Sequence, residues 1–119
     1  MKTKTFLYAI FCMVIMLIFS SFQVPQDHKV LFEKAKYTME TKADLKEAIN
    51  LFESIVKNYP DETAYVAKSL LYQGICFEKL GNREAVKKYR QLVDNYPEQK
   101  NEVTVARKRL SELITKEST

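Results

Sequence analysis

The chain of 119 residues contains no tryptophan, one histidine, two glycines, two cysteines and three prolines. Each shortage removes a class of structure or chemistry. Gly74 and Gly81 cannot by themselves build a glycine-rich phosphate loop or a succession of tight hairpin turns. With prolines only at 25, 60 and 97, little interrupts a helix, and no stretch alternates with the period of a strand. An all-α fold is therefore expected. His28 has no companion histidine and no metal-ligand spacing around it, so neither a metal nor a cofactor is expected. Cys12 lies in an apolar run and Cys76 in a helical pattern, which argues against an intrachain disulfide and for Cys76 as a small buried hydrophobe.

An excess of one charge sign is also missing. There are 19 basic and 15 acidic residues; setting aside Lys2 and Lys4 leaves 17 against 15, net +2. The signs alternate along the chain, as in Glu33, Lys34 and Lys36 or Arg83, Glu84, Lys87 and Lys88. That is the pattern of solvated helix faces rather than of a phosphate-binding stripe, so nucleic acid is not an expected partner.

One long hydrophobic run is present. Residues 1–22 have two lysines, an uninterrupted apolar stretch from Phe6 to Phe19, and two serines at the exit. This is the build of a secretory signal peptide. The alternative is a membrane anchor, but a spanning helix wants ~20 apolar residues and this run falls short. The expectation is cleavage near residues 21–24, a soluble, extracytoplasmic mature chain in the periplasm, and membrane contact only through this segment.

The remainder, residues 27–116, reads as five helices. Pro25 and Asp27 open the first, with Leu31, Phe32, Ala35 and Met39 on its apolar face. Asp44 and Glu47 form a capping box ahead of Leu45, Ala48, Ile49, Phe52, Ile55 and Val56. Tyr59 must end that helix, because a residue before proline is pushed out of the α region. Asp61 or Thr63 is expected to cap the third helix, which is apolar on two sides and so central. Gly81-Asn82 then pairs a helix stop with a cap, so the third and fourth helices form an antiparallel hairpin. Beyond Pro97, Asn101 is expected to cap a last helix carrying Val103, Ala106, Leu110, Leu113 and Ile114.

Sliding the chain by 37 residues lays 47–62 on 84–99, with identities at Glu47/Glu84, Ala48/Ala85, Val56/Val93, Asn58/Asn95, Tyr59/Tyr96 and Pro60/Pro97. Self-similarity at this period is the signature of a solenoid. In it Gly74 with Phe77, then Ala85, Tyr89 and Pro97, and likewise Ala48, Phe52 and Pro60, are packing positions, and their arrangement resembles the tetratricopeptide repeat family. Gly74 to Ala85 is one residue shorter than that family's spacing, and Ala35 to Ala48 one longer. The Asn-Tyr-Pro-Asp segment is most similar to repeats of bacterial cell-envelope proteins. The resemblance implies an antiparallel helix-hairpin solenoid that binds a protein or peptide and performs no catalysis. In some relatives such a block precedes a β-propeller, so the alternative is the N-terminal structural module of a larger or split protein of that kind.

Searching the same residues for chemistry returns little. A dyad would need His28 and Cys76 to meet across the fold, whereas His28, beside Asp27, is expected to be a solvated side chain near a helix cap. Asp61 and Glu62 adjoin a helix start, where acids favour the helix dipole. The resemblance implies that the first helix of each hairpin lines a concave face. By register from Gly74, the candidate partner contacts there are Lys68, Leu71, Tyr72, Ile75 and Lys79, suited to an extended peptide or a helix of acidic character. Leu71 and Ile75 also have the alternative of packing on neighbouring helices.

Overall fold

The computed structural model describes residues 2–20 and 27–119, and among them every regular element is a helix. These are α1 (Lys2–Ser20), α2 (His28–Glu40), α3 (Leu45–Asn58), α4 (Thr63–Lys79), α5 (Glu84–Asn95) and α6 (Lys100–Glu117). The antiparallel hairpins α2/α3 and α4/α5, closed by α6, make the helix-hairpin solenoid. The large apolar side chains of α1 from Phe6 to Ile18 are exposed, and it packs against none of the other described helices. Pro25 and the expected cleavage position lie outside the described residues.

Local chemistry sets the turns. Asp44 Oδ1 accepts from the Glu47 backbone N–H at 3.1 Å, which is one half of the expected box; the Asp44 N–H donates instead to the Thr38 carbonyl at 3.2 Å. At the second hairpin the chain turns at Gly81, φ +66°, with Gly81 N–H donating to the Glu78 carbonyl and Asn82 N–H to that of Phe77. Those two bonds close the end of α4. Asn82 Oδ1 then accepts from the Glu84 N–H at 2.9 Å, starting α5.

The 37-residue repeat is repeated in the backbone. Tyr59 adopts φ −128°, ψ 52° and Tyr96 φ −130°, ψ 50°. Glu62 N–H donates to the Tyr59 carbonyl and Gln99 N–H to that of Tyr96, both at 3.1 Å. These turns also correct two expected caps. α4 starts from Glu62 rather than from Asp61 or Thr63, and α6 from Gln99 rather than from Asn101, in both cases without a side-chain cap bond. The turn's own backbone bond fixes the boundary.

α4 is central: it packs on α3 and α5, and touches α2 and α6. Its side chains divide between two cores. Cys76 joins Leu31, Phe32, Ala35, Met39, Ala48, Phe52 and Ile55 in the first. Val66, Ala67 and Leu70 join Ala85, Tyr89, Leu92, Val103 and Ala106 in the second. Burying each large apolar side chain stabilises by about 1.5–3 kcal/mol. Both cores lie within α2–α6, so this part holds itself together without α1. Ile114, expected on the buried stripe of α6, is 47% exposed, beyond the reach of the second core.

Two carboxylates each link side chains from three helices. Glu53 of α3 accepts from Gln73 Nε2 of α4 at 2.8 Å and from Lys88 of α5 at 3.4 Å. Burial pushes its pKa up, but the Gln73 hydrogen bond and the Lys88 charge outweigh it and hold the carboxyl below its ordinary value. Glu78 of α4 accepts from the Tyr89 hydroxyl at 2.6 Å and from Arg109 of α6 at 3.0 Å.

Candidate functional site

The first helices of the hairpins, α2 and α4, together with α6, enclose a cleft of about 280 Å³ on one side of the solenoid. α2 contributes Phe32, Glu33 and Lys36, α4 contributes Tyr65, Lys68, Leu71 and Tyr72, and α6 contributes Glu102. They converge because positions three and four apart share a helix face, and three parallel helices present that face together.

Aromatic packing fixes the cleft floor. Phe32, 5% exposed, meets Tyr65 edge-on with ring centres 5.4 Å apart and Tyr72 at 5.7 Å. Phe52 from α3 stacks against Tyr72, 5.5 Å away and within 9° of parallel. The Lys68 ammonium lies 5.4 Å from the Tyr65 ring centre, a cation–π contact that leaves the charge near solvent. Among the described residues, Glu33, Lys36, Lys68 and Glu102 have no ion pair, although Glu53, Glu78, Lys88 and Arg109 elsewhere do.

Of the five candidate contacts, the structure brings Lys68, Leu71 and Tyr72 into this cleft and leaves two outside. Ile75 packs on the second core instead, and Lys79, exposed, stands beyond the lining. Leu71 serves both cleft and core. Phe32, Glu33, Lys36 and Glu102 are not among the expected contacts, because register along α4 does not say which side chains of α2 and α6 face it; Tyr65 is on α4 itself, one turn before the first expected contact, Lys68. The spacing Tyr65, Lys68, Tyr72 is the signal that sequence offers. The two glutamates also make the cleft balanced in charge rather than selective for acidic partners.

The repeat positions do what their sizes suggest. Ala48, Phe52, Ala85 and Tyr89 are buried and Gly74 lies against Tyr89, whereas Phe77 is half-buried and Pro60 and Pro97 sit exposed at the turns.

His28 is not the solvated side chain expected. Its side chain is 15% exposed, with Nδ1 3.0 Å from Asp27 and Nε2 3.6 Å from Glu62, and its ring packs on Tyr59 and Tyr65. Cys76 lies eleven residues past Tyr65 on the same helix, roughly 16 Å along its axis, so the dyad is not assembled. Desolvation pushes the Cys76 thiol up to about 11, which leaves it protonated and a poor nucleophile at neutral pH.

No curated protein and no solved structure matches the chain. Residues 30–62 and 68–99 match the family model described as tetratricopeptide repeat, each match covering one hairpin. Such repeats are protein-interaction modules that bind protein or peptide partners. With two successive repeats matched over more than half of its length, each folded as an antiparallel helix pair, the chain belongs to the tetratricopeptide repeat family.

Proposed function

We propose that the chain is an exported, non-catalytic interaction module of the bacterial cell envelope, and that it takes a protein or peptide segment into the cleft between α2, α4 and α6. One observation carries the assignment to the cleft: two lysines and two glutamates line it without ion partners, over an aromatic floor already locked by its neighbours. Such charges are available to orient a ligand, and a rigid floor lowers the entropy cost of binding it.

Export rests on Lys2 and Lys4 ahead of the Phe6–Phe19 run. Fourteen helical residues extend about 21 Å, short of the ~30 Å hydrocarbon core. Among the described residues no helix is long and apolar enough to cross a membrane. The leader is then removed and the mature protein begins near residues 21–24. N-terminal sequencing of the protein from the producing cell tests this, and an intact Met1 in the membrane fraction overturns it.

The cleft is tested by capture from envelope extract with the mature chain as bait. Reversing Lys36 and Lys68 together to glutamate makes the lining wholly acidic and abolishes capture, while reversing Lys57 and Lys87 on other faces preserves it. Equal capture by both double variants would place the binding surface elsewhere.

A further inference from the structure

Resting on the cleft as the binding surface, we propose that the packing of α3 on α4 is a built-in joint through which the cleft changes width. The turns ahead of α4 and α6 set up the comparison that shows it: their N-caps, Glu62 and Gln99, stand one repeat apart. At that shift Val66 falls on Val103, Cys76 on Leu113, Ser69 on Ala106 and Gln73 on Leu110. The contact of α6 with α5 is therefore apolar where that of α4 with α3 is polar. The fold has no need of the polar pair, since alanine and leucine pack the same place in the second core.

The polar pair is also incompletely satisfied. Ser69 is fully buried, and Gln73, one turn later on the same face, is 1% exposed. Gln73 Nε2 donates to the Ile49 carbonyl of α3 at 3.2 Å and to Glu53 Oε2 at 2.8 Å. Ser69 Oγ and Gln73 Oε1, however, have no hydrogen-bond partner among the described residues. A buried polar atom without a partner raises the free energy of the packed state, and hydration relieves it when the contact parts. Opening therefore costs less here than at the apolar contact of α5 with α6. What holds the joint shut lies at its rim: Glu53 takes Lys88 of α5 as well as Gln73, whereas α3 and α5 make no close backbone approach of their own. When α3 parts from α4 its hairpin partner α2 goes with it, and the Phe32, Glu33 and Lys36 wall of the cleft draws away from the α4 wall.

The experiment is relaxation dispersion on the ¹⁵N-labelled mature chain without a ligand, which reads exchange on the μs–ms scale. Amides of Glu53, Ser69 and Gln73, and of Phe32 and Tyr72 at the cleft, are expected to exchange with one common rate, and those of Ala106 and Leu110 are expected to be quiet. Replacing the pair by its α6 counterparts, Ser69→Ala with Gln73→Leu, should reduce the open population by roughly tenfold or more without lowering the melting temperature. Glu53→Gln removes the charge that holds Lys88 and should enlarge that population about two- to tenfold. Exchange that is absent in the wild type, equal at both contacts, or unchanged by the double variant overturns the joint. So does a lower melting temperature in the double variant, which would mean that the polar pair strengthens the packing. With no ligand present, none of these results bears on the cleft as the binding surface, which falls only if reversing Lys36 and Lys68 spares capture.

Discussion

Gly74 lies directly under the ring of Tyr89: a Cβ added at 74 would stand less than 3.0 Å from three of that ring's carbons. The two residues mark a close approach of α4 and α5, and the small side of the pair lets the large side fill the second core. Gly74→Ala gains about 1 kcal/mol of helix propensity but forces the Tyr89 ring, itself fully buried, to move. Overpacking of this kind costs ~1–3 kcal/mol, so the variant should be less stable than the wild type in urea unfolding. In a Tyr89→Leu background the obstruction is gone and the same change should become stabilising. Destabilisation of equal size in both backgrounds would show that Tyr89 is not what requires the glycine.

A second prediction concerns Ala43, a non-glycine residue with positive φ, +54°, in the turn between α2 and α3. The left-handed region costs an L-residue about 1–2 kcal/mol, more than glycine loses through its greater freedom when unfolded. Ala43→Gly should therefore raise stability by ~0.5–1 kcal/mol, and Ala43→Val should lower it. Thermal unfolding of the pair checks the order; a valine variant as stable as the glycine variant would refute it.

How far these features can be read from the sequence depends on whether they are made within one helix or between several. The stop at Gly81, the cap at Asn82 and the repeated Tyr-Pro turns are local, and each has one strongly favoured conformation for its residues. Caps at Asp61, Thr63 and Asn101 are plausible by residue type, yet a backbone bond inside the turn moves each boundary to a neighbour. The cleft is half legible for a related reason. Spacing places Lys68 and Tyr72 on one face of α4, but Lys36 and Glu102 join them only through the relative rotation of three helices. His28, Glu53 and Glu78 likewise find their partners across helices, where the sequence carries no register.

The third prediction is alkaline. Cys76 is fully buried and its thiol is pushed up to about 11 by desolvation, against an ordinary value near 9. Between those values the unfolded chain has released the proton and the folded chain still holds it, so the unfolded state binds fewer protons and stability falls as pH rises. The slope approaches roughly 1.4 kcal/mol per pH unit and ends near the folded value. Cys76→Val keeps an apolar side chain of similar size and removes the titration. Denaturant unfolding at pH ~8 and ~10.5 should show the wild type losing more than the variant, since the lysines and tyrosines common to both cancel in the comparison. Parallel losses would mean that the thiol is not desolvated.

The last prediction separates positioning from contact in the cleft. Phe32 is 5% exposed and has little surface of its own to give a ligand, yet its ring meets Tyr65, Tyr72 and Phe52 edge-on. Each such contact is worth ~0.5–1.5 kcal/mol beyond area burial. Phe32→Leu keeps an apolar side chain in the core but removes all three, so it should cost about 1–3 kcal/mol of stability and leave the protein folded. If Phe32 holds the two tyrosines in place, capture of partners from envelope extract should fall with it, and adding Tyr72→Phe should then weaken capture by less than it does in the wild type. Capture by the single and double variants at a temperature where all remain folded decides the matter. A Phe32→Leu variant with wild-type capture would show that the tyrosines keep their positions without it.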